Sequence, residues 1–175
     1  KPSEEARFFT LSGWLTCRRD GDWIEMDFPA KVAALCSAPA GLDSALGAEV
    51  LWVGNSGMDY LVEVRDEETL RGLKPDFSAL AVLPVRGVIA TCAGGSGGFD
   101  FLSRFFAPAA GVNEDPVTGS AHCALGPYWQ SKLGRNTFMA FQASERGGVV
   151  KLEVRGDRVL LRGQAVGMSR VELKH

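Results

Sequence analysis

One stretch of the sequence gathers groups able to do chemistry: Phe105-Phe106-Ala107-Pro108-Ala109-Ala110-Gly111-Val112-Asn113-Glu114-Asp115-Pro116-Val117-Thr118-Gly119-Ser120-Ala121-His122. Two adjacent carboxylates, Glu114 and Asp115, precede Pro116. The small residues Thr118-Gly119-Ser120 then lead into a run whose Ala121, Ala124, Leu125 and Tyr128 recur at helical spacing. A helix opening at Gly119 or Ser120 leaves its first backbone N–H groups without intrahelical partners. Those donors, at the positive end of the helix dipole, form a site for a carboxylate or another anion. Gly119 lets a ligand approach the backbone, and the Thr118 and Ser120 hydroxyls can add hydrogen bonds. Asp115 then stands beside the α-carbon of a bound acid, where a desolvated carboxylate can shuttle a proton to or from that carbon. The same residues admit a plainer reading, in which Asp115 or Thr118 caps the helix and Glu114 faces water.

Other chemical signals are weaker. The glycines of Ala93-Gly94-Gly95-Ser96-Gly97-Gly98 look like a phosphate loop only superficially: no Lys-Ser/Thr follows, and Phe99–Phe106 alternates like a strand rather than opening a helix. Cys17, Cys36, Cys92 and Cys123 are scattered, with no Cys-x-x-Cys pair and only His122 and His175 to join them, so reduced, mostly buried thiols are expected and no metal site is assigned.

The elements that must position this segment follow from apolar runs punctuated by Gly and Pro, which predict a β-rich α+β fold. A strand over Arg7–Cys17 and a second over Ile24–Phe28 form a hairpin with an Asp20-Gly21 turn. Ala30–Ala40 reads as a connector, and a short helix is expected near Leu42–Leu46. Strands follow at Val50–Val53 and Tyr60–Val64, a helix at Glu67–Leu73, and a second helix capped by Asp76. Val85–Cys92, apolar almost throughout, suits an interior strand covered on both faces. Strands at Thr137–Gln142, Val149–Arg155, Arg158–Gly163 and Ala165–Leu173 complete the chain. Pro127 lies inside the helix after the motif and predicts a kink or an early stop near Leu125.

The chain has 175 residues, 46% hydrophobic and 23% charged, with a formal charge of -2. That is the balance of one globular domain or two small ones, without the basic excess that draws a protein to nucleic acid or an anionic membrane. No apolar run approaches the roughly 20 residues that cross a bilayer, and Lys1-Pro2-Ser3-Glu4-Glu5 lacks a signal peptide's apolar region. A cytoplasmic protein with a small ligand is expected.

The motif itself, Glu114-Asp115-Pro116-Val117-Thr118-Gly119-Ser120-Ala121-His122, resembles the phenazine biosynthesis PhzF-like family. So do Phe99-Asp100-Phe101, Ser103-Arg104 and Phe106-Ala107-Pro108 upstream, Phe141-Gln142 and Arg146-Gly147-Gly148 downstream, the opening Thr10-Leu11-Ser12-Gly13 and the closing Gly163 to Leu173. The resemblance implies half of a diaminopimelate epimerase-like fold, with a curled, mostly antiparallel sheet around a central helix. It also implies cofactor-independent proton transfer that isomerises or epimerises a small carboxylic acid. Asp115 is then the acid/base group, and Thr118, Gly119 and Ser120, with Glu114 and His122, form the substrate-binding set. His122 equally suits a packed core position. In related epimerases and racemases a cysteine occupies the place of Asp115; Cys123 is displaced from it and is not assigned as a nucleophile.

The family's Gly-Asn-Pro, partner-glutamate and Cys-Gly-His-Ala motifs have no match in this sequence. On the resemblance, residues 1–29 form a hairpin that belongs with a missing N-terminal half, 30–164 form the C-terminal domain, and 165–175 form a closing strand and tail. Proton transfer across one carbon then needs a second group from outside, supplied by a second copy in a homodimer or by a complementing N-terminal half. A different class remains open: a catalytically inactive acid-binding or interaction module. Trp52, Met58, Arg104 and Phe106 are candidates to line the cleft, although their periodicity equally allows them to pack in the core, and Trp14 and Trp23 suit an interface better than stacking on a ligand.

Overall fold

The computed structural model describes residues 5–10, 13–95, 97–169 and 171. The chain opens with β1 (Glu5–Thr10), β2 (Gly13–Asp20) and β3 (Trp23–Pro29). The expected strand Arg7–Cys17 is thus two strands, folded back on each other with Thr10 opposite Gly13; Leu11 and Ser12 lie outside the described residues. Alternation alone cannot detect this reversal, because Phe9, Leu15 and Cys17 keep one parity across it. The β2–β3 turn lies where expected. Asp20 pairs with Trp23, and Gly21 takes φ +61°, a conformation open to glycine in two-residue hairpin loops.

A two-residue strand, β4 (Ala34–Leu35), interrupts the connector and pairs with β5 (Trp52–Asn55). Between them lies α1 (Leu42–Leu46), at the expected position. Next come β6 (Asp59–Glu63), α2 (Glu67–Gly72), α3 (Phe77–Ala81) and β7 (Gly87–Ala93). α3 is capped as expected, with Asp76 accepting from the Ser78 and Ala79 N–H groups, and Asp66 caps α2 in the same way by accepting from the Thr69 N–H. The glycine run after β7 is a reversal into β8 (Phe101–Phe106). A Cβ on Gly94 would fall 1.7 Å from the Phe99 carbonyl oxygen, so only glycine allows this crossing. A single 3₁₀ turn (Pro108–Ala110), α4 (Gly119–Leu133), β9 (Thr137–Gln142), β10 (Gly148–Arg155) and β11 (Arg158–Gly163) follow.

These strands form one eleven-stranded sheet in the order β1-β2-β3-β11-β10-β9-β8-β7-β6-β5-β4. It is antiparallel except at β6–β7 and β8–β9, where helices carry the chain back, as parallel pairs require. α4 packs against β6, β10 and β11. α4, 15 residues and so roughly 22 Å long, lies across one face of the sheet, with Gly119 and Gly126 over β11 and Tyr128 reaching Glu63 of β6. On that face Leu61, Ile89, Phe101, Phe105, Leu125, Trp129, Val159 and Leu161 form one core. On the opposite side Val62, Val88, Ala90, Leu102 and Phe106 pack with α1, α2 and α3 in a second. β7 is buried on both faces, as its unbroken apolar run predicts.

Two expectations are corrected. α4 does not stop at Leu125 but runs through Pro127 to Leu133. Proline deprives the Cys123 carbonyl of its usual helical partner, and the Lys31 backbone N–H takes that place at 2.9 Å. Gly126 lets the helix sit close to the sheet: a Cβ there would come within 3.1 Å of Val154 Cγ2. The second correction concerns the tail. Residues 164–169 and 171 form no strand; both neighbours of β11 are already filled by β3 and β10. Val166 and Met168 are consequently exposed. The remainder of the expected closing strand, Arg170, Glu172 and Leu173, lies outside the described residues.

Candidate active site

The sheet and α4 converge on the motif. Asp115 is tied to β8 through its backbone, donating its N–H to the Phe105 carbonyl at 3.0 Å. Its half-buried carboxylate accepts a hydrogen bond from the Thr118 hydroxyl. Thr118 is the N-cap residue of α4, yet no side chain caps the helix there. Its hydroxyl is spent on Asp115, and Asp115 reaches no helix amide. The capping alternative fails for both residues, and the first turn of α4 keeps its donors for another partner.

The residue that holds this arrangement together is Gln142, at the end of β9 and fully buried. Its Oε1 accepts from the Thr118 N–H at 2.8 Å. Its Nε2 donates to the Asp115 carbonyl at 2.7 Å and to Thr118 Oγ1 at 3.2 Å. Because Nε2 occupies the acceptor side of the Thr118 hydroxyl, the hydroxyl proton is left for Asp115. Sequence reasoning did not assign Gln142 a role. Its signal was a polar side chain in register with the inward-facing Phe138 and Ala140.

Pro116 and Val117 are pinned from the β9–β10 turn. Ser144 Oγ donates to the Pro116 carbonyl at 2.7 Å and accepts from the Gly147 N–H at 3.1 Å. Gly148 leaves room for Val117, whose Cγ2 lies 2.3 Å from where a Cβ would be. A cleft of about 410 Å³ lies along this seam, lined by Glu114, Pro116, Ser144, Glu145 and Arg146. A second, apolar cleft of about 350 Å³ reaches Gly119 from the side of Ile24, Met26, Val117, Val150 and Leu161.

The other residues named from sequence fall in distinct places. Glu114 is held bidentately by Arg104, at 2.8 and 2.9 Å, and Arg104 also donates to the Leu73 carbonyl at 2.9 Å. Gly119, half-buried, and Ser120, exposed, form the start of α4, with the Ser120 hydroxyl accepting from Arg86 at 3.0 Å. His122 is fully buried. Its Nδ1 meets the Thr118 carbonyl at 2.7 Å, and its ring lies 6.4 Å from that of Phe101. Burial pushes its pKa down to about 4, partly opposed by the bond to Thr118, so at neutral pH the ring is uncharged and Nδ1 is the donor. Of the candidate lining residues, Phe106 is buried in the second core, Trp52 packs on Tyr128 at 4.6 Å, and Met58 is exposed. Cys92 and Cys123 are buried, with thiol pKa values pushed up to about 12 by that burial.

A model of the phenazine biosynthesis-like protein family matches residues 24–170. The chain belongs to this family. It is 51% identical over 167 residues to an uncharacterized isomerase of Halalkalibacterium halodurans, covering 95% of this chain and 63% of that protein. It is 38% identical to the human phenazine biosynthesis-like domain-containing protein, covering 90% of this chain and 61% of the relative. The crystal structure of an Enterococcus faecalis protein of the PhzF family superposes with a TM-score of 0.87 at 38% identity, over 94% of this chain and 62% of the other. The chain thus spans about three fifths of the length of the relatives it matches. Among the described residues no helix is long and apolar enough to cross a membrane.

Proposed function

We propose that this chain is the C-terminal part of a PhzF-like isomerase or epimerase that moves a proton on a small carboxylic acid without a cofactor. The carrying observation is the Asp115 carboxylate, half-buried and held by the Thr118 hydroxyl at the uncapped start of α4. In this reading the acid's carboxylate sits on the first amides of α4, at Gly119 and Ser120, with its α-carbon toward Asp115. Asp115 removes the α-proton, and the electron pair left on carbon delocalises into the acid's carboxylate. The helix amides and dipole stabilise the added charge there. The proton returns to the same carbon or to a conjugated one. Glu114, bound to Arg104, fixes the loop that carries Asp115, and neutral His122 supports Thr118 from below.

Inversion at the carbon needs a second group on the opposite face; Asp115 alone can remove and return a proton on one face. We assign that second group to another polypeptide segment, either a complementing N-terminal half or a second copy of this chain with C2 symmetry. The exposed β1–β2 ribbon suits either arrangement: Phe9 is 75% and Trp14 63% exposed, with their rings in edge contact at 5.2 Å. The test is solvent deuterium incorporation at the α-carbon of a panel of small acids, followed by proton NMR. Asp115→Asn is expected to lower exchange by about 10²–10⁴-fold while leaving the urea midpoint unchanged. Exchange that survives in the variant overturns the assignment. Acid binding without exchange in the unmodified protein favours an inactive binding module.

A further inference from the structure

An ion pair beside the first turn of α4 has no part in the proton transfer described above. Asp59, the first residue of β6, is only 2% exposed. Its carboxylate accepts from Arg86 Nε at 2.9 Å and from Nη2 at 2.5 Å. The guanidinium lies 5.1 Å above the Phe105 ring, and Nη2 also donates to Ser120 Oγ at 3.0 Å. The hydrogen bond to Asp59 holds the Arg86 pKa above its ordinary value against the effect of burial, and the charges of Asp59 and Asp115 add in the same direction. Arg86 is therefore a cation fixed by a buried carboxylate, touching the second residue of α4 and within the field of Asp115.

A serine hydroxyl has one proton and two lone pairs. With a lone pair occupied by Arg86, the Ser120 proton is free for a partner on the solvent side, where Ser120 is exposed. A planar guanidinium gripped along one edge also loses little further freedom when an anion approaches. We propose that Arg86 is a positioning residue for the acid site at the start of α4: it turns Ser120 into a hydrogen-bond donor toward the ligand and sets a fixed positive charge beside the ligand's carboxylate. The site then selects ionised acids over their neutral amides. This deepens, and rests on, the reading of α4 as the acid-binding element.

The alternative is that Arg86 does nothing except neutralise Asp59. The two accounts separate in the double variant D59N/R86M, which removes both charges and so leaves no buried carboxylate stranded. Backbone amide NMR shifts of Gly119, Ser120 and Ala121 are followed during titration with lactate and, as the neutral control, lactamide. The double variant is expected to bind lactate about tenfold more weakly with lactamide unaffected, whereas R86K stays within about threefold of the unmodified protein. Ser120→Ala, at an exposed position on which the fold does not depend, is expected to weaken lactate about threefold. Lactate binding at full strength by D59N/R86M or by S120A overturns the role of Arg86, as does an equal loss for lactamide; in each case α4 stands as the acid site. An unmodified protein whose Gly119–Ala121 amides do not respond to lactate overturns the acid-site reading itself, and the role of Arg86 with it.

Discussion

Replacing Gln142 with leucine tests whether the site is held by the clamp on Thr118. The substitution keeps the bulk of the side chain and removes three hydrogen bonds, to the Thr118 N–H, the Asp115 carbonyl and Thr118 Oγ1. Thr118 is buried, so its N–H is left unpaired, at about 1–3 kcal/mol. The Asp115 carbonyl belongs to a half-buried residue that water can partly serve, so its loss adds roughly 1 kcal/mol or less. The added apolar surface of leucine offsets part of this, leaving a destabilisation of about 2–3 kcal/mol, or roughly 4–12 °C in Tm for a chain of this size. Urea unfolding followed by far-UV circular dichroism measures it. Deuterium exchange should fall as well, because the Thr118 hydroxyl loses the donor that directs its proton to Asp115. A variant within about 0.5 kcal/mol of the unmodified protein would refute the clamp, since surface substitutions alone produce changes of that size.

Three further outcomes follow from the packing of α4. His122 has its pKa pushed down from 6.5 to about 4 in the fold, so the unfolded chain binds the extra proton between those values and stability falls as pH drops through that window. The loss is about 3 kcal/mol, and urea titrations of the protein and His122→Leu at pH 6.5 and 4 should differ by that increment, which the variant lacks. Gly126→Ala puts a methyl 3.1 Å from Val154 Cγ2 and should cost about 1–3 kcal/mol by overpacking, read as a lower urea midpoint; a rise of the kind alanine gives in an open helix would mean that α4 does not press on β10. Pro127→Ala should gain less than about 1 kcal/mol, against the roughly 3 kcal/mol that a mid-helix proline ordinarily costs, because the Cys123 carbonyl is already bonded to Lys31; differential scanning calorimetry would show the difference.

The parts of the fold that could be read from the sequence are those decided within a few residues. Asp66 and Asp76 sit one position before helices whose amides they bind, Gly21 occupies a turn that demands its φ, and β7 carries an apolar run because both its faces are covered. Where the outcome depended on distant partners, local signals misled. Proline inside α4 predicts a break only if nothing else satisfies the carbonyl behind it, and the Lys31 N–H that does so lies 92 positions away. The Ala165–Leu173 alternation predicts a strand only if an edge is open to it, and the neighbours of β11 are taken.

The same division runs through the site. The motif places Asp115, Thr118 and Gly119 within five positions of one another, so the placement of a carboxylate at a helix start is local and legible. What makes that carboxylate more than a helix cap is not local. The Thr118 hydroxyl turns toward Asp115 because Gln142 holds its other side from 24 positions downstream, and Ser120 is oriented by Arg86 from 34 positions upstream. In both cases the arriving group is a donor that fills an acceptor lone pair and leaves the hydroxyl proton to be given elsewhere, to Asp115 in one case and toward solvent in the other. A hydroxyl acting as a cap would have to accept from the helix amides. The two donors, Gln142 at the end of β9 and Arg86 in the segment just before β7, thus direct both hydroxyl protons outward from α4, and neither hydroxyl takes up its first-turn amides.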